Sequence, residues 1–181
     1  MNSSGYYMVS LTELIRTYGK DGTSSILRTF VPLTDTRTAD YLYNDAIQME
    51  IRDLSRTYLA FSNEYDSIQG YVTIGMKCIR IPGENLLSRS LLRQCNIDES
   101  TGVAQAYLLG QLARSIDSQK GFGKDLIEYA IGRLREAKKI VGCRIARLDC
   151  SGDLIEYYGD SGFKPIRSNN NGSLVQMITT I

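Results

Sequence analysis

The feature that most constrains this chain is a long helical repeat that begins at a glycine-punctuated turn. In "GQLARSIDSQKGFGKDLIEYAIGRL", Gly110 to Leu134, a strand-like run enters the turn and a strongly periodic segment leaves it. Leu126, Ile127, Ala130, Ile131, Leu134, Ala137 and Val141 fall on one apolar stripe at helical spacing. Lys124, Glu128, Arg135 and Lys139 take the other side, and Gly142 stands where a left-handed cap would end the helix.

The flanking segments alternate between strand and helix patterns. Ser10 and Glu13 have capping-box spacing, and Leu11, Leu14, Ile15 and Tyr18 before Gly19 predict a short helix, read as an N-terminal helical extension within residues 1–25. "ILRTFVP" reads as a first strand. Leu42, Ala46, Ile47, Ile51 and Leu54 then predict one helix over residues 38–54. "TYLAFS" and "IQGYVTIGMKCIRI" flank the turn-like "NEYDS" as a β-hairpin, because β-branched and aromatic side chains suit a pleated surface. "ENLLSRSLLRQC" predicts a helix and "VAQAYLLGQLAR" the strand that enters the glycine turn. After the main helix come "CRIARLDC" as a strand, "DLIEYYGDS" as a short helix, "GFKPIRS" as a strand, the loop "NNNG" and "LVQMITTI" as a final strand. The order is α/β of the α+β kind, with a hairpin-rich first half. At 181 residues one domain with a full core is expected.

Composition excludes several function classes. The 21 Lys and Arg against 20 Asp and Glu give a net charge of +1, so no global field favours nucleic acid or an anionic membrane. Histidine is absent, and Cys78, Cys95, Cys143 and Cys150 form no CxxC pair. The usual zinc spacings therefore cannot be written, no metal is expected, and the cysteines read as reduced core residues. No basic start precedes an apolar run and no segment approaches about 18 consecutive apolar residues, so a cytoplasmic protein is expected.

The glycine turn fits neither common nucleotide motif. A P-loop would need glycine at Ser118 and Ser or Thr at Asp125, and a dinucleotide fingerprint would need its third glycine at Leu126. What remains is chemistry: backbone N–H groups from Gln119 to Lys124, at the positive end of a helix, suit a pyrophosphate. The side chains of Lys120 and Lys124 add charge there. The alternative is a tight turn with solvated lysines.

Downstream, "LIEYYGDSGFKPI" at Leu154 to Ile166 follows the turn after one helix and one strand. Together the two segments resemble the GNAT superfamily of acetyl-CoA-dependent N-acetyltransferases, in which an R/Q-x-x-G-x-G/A turn binds the CoA pyrophosphate and an F-Y-x-x-x-G-F segment carries a tyrosine facing the CoA sulfur. The resemblance runs best from about Tyr107 to Ile166. Upstream, "ADYLYNDAIQMEIRDLSRTYLAFSNEYDSIQGYVTI" looks like the helix, hairpin and GY strand of GNAT toxins of toxin–antitoxin systems. The family's Arg or Gln falls on Ser118, or on Gln119 in a shorter turn, and its Asn falls near Ser151.

The resemblance implies a central mixed, mostly antiparallel sheet splayed at the cofactor site, with helices on its flanks. It implies that acetyl-CoA contacts Leu112, Ala113, Arg114, Gln119, Lys120, Gly121, Phe122, Gly123 and Lys124, with a backbone N–H stabilising the oxyanion. It makes Tyr158 the acid that protonates the leaving thiolate. Tyr157, about 100° round the helix, is expected to pack in the core.

Without histidine, the general base is left to Glu50, Asp149, Glu156 or a water. An α-amine, with an ordinary pKa near 7.7 against about 10.4 for lysine, needs less help to lose its proton, so an α-amino acceptor is favoured. Aminoacyl-tRNA, a peptide N-terminus or a small amine would serve. Arg133, Arg135, Lys138 and Lys139 cluster near the end of the main helix as a tRNA contact or a solvated face. An antitoxin and a second copy in a homodimer complete the partners this reading implies. The alternative class is a non-catalytic acyl-CoA-binding or partner-binding GNAT domain.

Overall fold

The computed structural model describes residues 5–64, 66–167 and 174–181, so the "NNNG" loop lies outside the described residues. The chain divides into two compact units, Met1–Gly75 with Gln111–Ala130, and Met76–Gly110 with Ile131–Ile181.

In the first unit, β1 (Tyr6–Ser10) precedes α1 (Leu11–Leu27), then α2 (Thr36–Asn44), α3 (Ala46–Ile51), β2 (Ser55–Ser62) and β3 (Ile68–Met76). Ser10 caps α1 by accepting from the Glu13 N–H at 3.2 Å. Gly19 breaks α1 as its position suggests, with φ +69°, but helix resumes after it. "ILRTFVP" is accordingly not a strand: Ile26 and Leu27 close that helix, Phe30 is buried in the core, and only Pro32 bridges to Ser115. A strand that the sequence reading missed, β1, pairs antiparallel with β2 from Tyr6↔Ser62 to Ser10↔Tyr58.

The single helix expected over residues 38–54 is two. Asp45 both ends α2 and begins α3, and Asp53, with φ +57°, turns the chain before β2. Leu42 and Ala46 are buried, whereas Ile51 and Leu54 are exposed. The β2–β3 hairpin is as expected, with a register shift between Ala60 and Phe61.

Gly70 on β3 is where close packing requires a glycine. A Cβ there would meet the Ala113 carbonyl oxygen at 2.8 Å, Leu126 Cδ1 at 2.9 Å and Phe122 Cε1 at 3.1 Å. Its absence lets the residues that leave the glycine turn lie against the strand.

The second unit contains β4 (Ile79–Arg80), α4 (Arg89–Gln94) and β5 (Val103–Ala104), then β7 (Ile145–Cys150), α6 (Ile155–Gly159), β8 (Lys164–Pro165) and β9 (Val175–Thr180). Strand β6 (Tyr107–Arg114) and helix α5 (Phe122–Val141) run through both units. The main sheet has the order β1-β2-β3-β6-β7-β9-β8. Its described pairings are antiparallel except β6–β7, which is parallel and limited to Tyr107↔Ala146 and Leu108↔Arg147. β7 pairs with β9 over its whole length, Ile145↔Thr180 to Cys150↔Val175.

Helix α5 confirms the stripe at Leu126, Ile127, Ala130 and Leu134, all buried, and Gly142 takes the left-handed cap at φ +78°. Val141 is 70% exposed, because the stripe runs past the core before the helix ends. Of the cysteines, Cys95 and Cys150 are buried, Cys143 is half-buried and Cys78 is exposed, which corrects the expectation for Cys78; all four are free. Among the described residues no helix is long and apolar enough to cross a membrane.

Candidate functional site

The glycine turn in the first unit is built by hydrogen bonds, some within the turn and some from distant segments, that leave part of its backbone open. Ser115 N–H donates to the Gln69 carbonyl at 2.8 Å and Leu33 N–H to the Arg114 carbonyl at 3.0 Å, so both sides of the strand end are fixed. The Ser118 hydroxyl donates to the Ser115 carbonyl at 2.6 Å, and Arg114 Nη1 to the Gln119 carbonyl at 3.3 Å. Phe122 N–H and Lys124 N–H donate to the Gln119 and Gly121 carbonyls at 3.2 and 2.9 Å. Among the described residues the N–H groups of Lys120, Gly121 and Gly123 have no protein acceptor.

Gly121 has φ +94°, a conformation that disfavours any side chain, and a Cβ there would touch nothing within 4 Å. The turn thus needs glycine for its backbone shape. Gly123 is buried in the first turn of α5, whereas the Gln119, Lys120 and Lys124 side chains are exposed. Phe122 anchors the turn, buried and edge-on to Tyr6 with ring centroids 4.8 Å apart.

Strand alternation sorts the polar groups of β6. Gln111 N–H points to β3, where Thr73 Oγ1 accepts it at 2.7 Å. Leu112 N–H therefore faces away from β3, and Ala113 is buried beside Gly70.

The tyrosine segment lies in the second unit. Tyr158 is on α6, 8% exposed, edge-on to Tyr157 at 5.1 Å and to Phe163 at 6.2 Å. Its carbonyl accepts from Phe163 N–H at 3.1 Å, which folds the G-F step back onto the helix. Among the described residues its hydroxyl makes no hydrogen bond. Burial raises its pKa well above the usual tyrosine value, and Tyr157 and Cys150 push it further in the same direction. Tyr157 is half-buried rather than in the core.

Two of the three carboxylates considered as bases have other partners. Glu50, 4% exposed, accepts from Thr12 Oγ1 at 2.5 Å and from Thr57 N–H at 2.8 Å, with Arg56 at 3.7 Å, and so ties α1, α3 and β2 together. Asp149 receives Arg147 Nη2 on both oxygens, at 2.5 and 2.7 Å. Glu156 is exposed on α6.

Arg147, which sequence reasoning passed over, is 2% exposed, and its Nη1 donates to the Cys78 carbonyl at 2.9 Å. The R-x-D spacing in a strand was the available signal, since residues two apart share a face. The basic cluster at the end of α5 is partly committed. Lys138 donates to the Ile181 carbonyl, and Arg133 pairs with Glu136 at 2.7 Å. Among the described residues no group of three or more acidic or cysteine side chains could hold a metal.

No family model matches the chain, and no curated protein matches it in sequence. Solved structures do. AtaT complexed with acetyl-methionyl-tRNAfMet is similar with a TM-score of 0.72 at 18% identity, over 94% of this chain and 93% of that one. A Tyr-to-Phe mutant of KacT gives 0.74 at 16% identity, over 97% and 95%. A Tyr-to-Phe mutant of the AtaT toxin, bound to the C-terminus of the antitoxin AtaR and acetyl-CoA, gives 0.68 at 15% identity, over 97% and 93%. At these identities the likeness establishes the fold, which is the GNAT fold implied by the sequence.

Proposed function

We propose that this GNAT-fold chain is an N-acetyltransferase that moves an acetyl group from acetyl-CoA to a primary α-amine, with aminoacyl-tRNA as the acceptor. The observation that carries the reading is the row of backbone N–H groups without protein acceptors at Lys120, Gly121 and Gly123. An anionic pyrophosphate would satisfy those donors, and the exposed ammonium groups of Lys120 and Lys124 would add to its binding. Gln119 and Phe122 complete the turn, and Leu112, Ala113 and Arg114 form the strand that leads into it.

Acetyl-CoA, when bound, supplies a thioester whose acyl carbon an amine can attack. Leu112 N–H, facing away from β3, is the backbone donor suited to a carbonyl oxygen that gains negative charge. Tyr158 holds its proton across the whole physiological range, because burial disfavours the tyrosinate, and so remains a donor for a leaving thiolate. Neither Glu50 nor Asp149 is at liberty to act as a base, which leaves the exposed Glu156 or a water to take the proton from the amine. That assignment suits an α-amine, whose ordinary pKa of about 7.7 leaves part of it neutral.

The fold shared with AtaT, one structure of which holds acetyl-methionyl-tRNAfMet and another an antitoxin segment with acetyl-CoA, supports tRNA and antitoxin as partners. A non-catalytic acyl-CoA binder is the second reading. Ser118, or Gln119 in a shorter turn, stands where the family carries Arg or Gln, and the Ser118 hydroxyl is held by the Ser115 carbonyl.

Incubation of the purified protein with labelled acetyl-CoA and charged tRNA should yield acetylated aminoacyl-tRNA. Calorimetry that finds CoA binding without transfer to any amine would select the binder. Absence of CoA binding by folded protein would overturn both.

A further inference from the structure

One buried ion pair in the second unit is poorly explained by stability. Arg147 is 2% exposed on β7, and its Nη2 donates to both oxygens of Asp149, at 2.5 and 2.7 Å. Its Nη1 donates to the Cys78 carbonyl, but its Nε is buried with no hydrogen-bond partner among the described residues. A buried pair with an unsatisfied donor stabilises a fold no better than apolar side chains of similar volume. What this pair does supply is a carboxylate fixed in one position.

That carboxylate stands where two strands part. β6 and β7 pair only at Tyr107↔Ala146 and Leu108↔Arg147, and Asp149 lies two residues beyond the last pair. Residues two apart on a strand share a face, so Asp149 faces the same side as Arg147, with Gly110 as its counterpart on β6 and Gln176 opposite it on β9. The neighbours of Arg147 across the sheet are apolar, Leu108 and the buried Ile178. Those of Asp149 are not, since Gly110 has no side chain, and both Gly110 and Gln176 are exposed. Within two residues the face passes from closed to open, and the Asp149 side chain is 24% exposed at that edge. A carboxylate has about four lone-pair sites, of which Arg147 fills one on each oxygen.

We propose that Asp149 receives the N–H donors of the acceptor's α-amine, and that Arg147 is the positioning residue that holds it there. The proposal rests on the acetyltransferase reading above, which brings the amine to the splayed strands. Because Arg147 engages both oxygens, Asp149 serves as a fixed acceptor and not as the base. An amine whose N–H bonds point at Asp149 keeps its lone pair directed elsewhere, toward a thioester carbon, and the carboxylate opposes the positive charge that the nitrogen gains on attack. An α-hydroxyl offers one donor and no charge, so the same carboxylate discriminates against it.

Filter binding with an aminoacyl-tRNA, and with the same tRNA deaminated to its α-hydroxyacyl form, tests recognition without chemistry when CoA replaces acetyl-CoA. Wild-type protein should prefer the amine about tenfold or more, the size of a charge-assisted hydrogen bond. Asp149→Asn should abolish most of that preference and lower kcat/KM for charged tRNA about tenfold, with CoA affinity unchanged. Arg147→Lys keeps the charge but not the grip on both oxygens, and should fall between. Asp149→Asn leaves the Arg147 cation buried without a counter-charge, so Arg147→Met/Asp149→Asn, which buries no charge, guards against failure to fold. Since Arg147 acts through Asp149, this double variant should lose no more preference than the single one.

Preference is read on the variants whose thermal melts show them folded. Wild-type protein that acetylates charged tRNA yet binds the amine and hydroxyl forms alike overturns the role of Asp149 and leaves the acetyltransferase standing, as does a folded Asp149 variant that keeps the preference. A double variant that loses more than the single one overturns the role of Arg147. Amine preference that depends on Asp149 in a protein that transfers no acetyl group sinks the acetyltransferase reading and leaves the amine site, and absence of both preference and transfer sinks both.

Discussion

The two units carry their polar chemistry in different places. In the first, the buried charge at Glu50 is consumed by Thr12, Thr57 and Arg56, and the groups without acceptors are backbone N–H donors at a turn. In the second, a buried group without a partner is a side chain, the Tyr158 hydroxyl, while exposed cations without ion pairs occur in both units. A backbone site depends on glycine and chain geometry and tolerates side-chain change, whereas a side-chain site can be removed one functional group at a time. The first unit should therefore fail by losing stability or turn shape, and the second by losing chemistry while folded.

The sharpest way to break that contrast is Glu50→Ala. It leaves the buried Thr57 N–H without an acceptor and should destabilise the protein by about 3 kcal/mol in denaturant unfolding. A change within experimental error would show that the first unit does not rely on this strap.

Next comes Tyr158→Phe, expected to lower turnover roughly 10²-fold with CoA affinity and melting temperature near wild type. Since burial raises the tyrosine pKa, the acid stays protonated as pH rises, so the wild-type rate should show no alkaline fall from this group below about pH 10. Full activity in the Phe variant would make the side chain a packing residue and its segment no different in kind from the first unit.

Gly70→Ala should cost about 2 kcal/mol, because its Cβ meets a backbone carbonyl at 2.8 Å that has no room to yield. The smallest effect is expected of Gly121→Ala, about 1 kcal/mol for a side chain at positive φ, and a Cβ there finds open space. Calorimetry should show weaker CoA binding in this variant, since the turn that presents the N–H groups is strained. Unchanged affinity would move the anion site off the turn.

Much of this was legible in the sequence where a single periodicity ran unopposed. The stripe from Leu126 to Leu134, the β2–β3 hairpin and the cap at Gly142 follow from local pattern and recur in the structure. The reading failed where two patterns overlapped. "ILRTFVP" is β-branched and aromatic enough for a strand, yet its first residues complete α1 after the kink at Gly19, because burial of Leu27 and Phe30 outweighs intrinsic preference. The split at Asp45 escaped notice for the same reason, since apolar spacing continues through it while the backbone does not.

The sequence by itself determined the β2–β3 hairpin, the glycine turn before the longest helix and the tyrosine segment after it, because these depend on neighbours in the chain. Only the tertiary structure decided which polar groups keep a partner. Glu50 and Lys138 looked as available as any other charge until residues distant in sequence, Thr12 for Glu50 and Ile181 for Lys138, came within hydrogen-bond reach. The same holds for Arg147, whose nearest acceptor beyond Asp149 is the Cys78 carbonyl, far away along the chain. A hydrogen bond is made over about 3 Å of space whatever the separation in sequence, so linear pattern names the donors and folding assigns their acceptors.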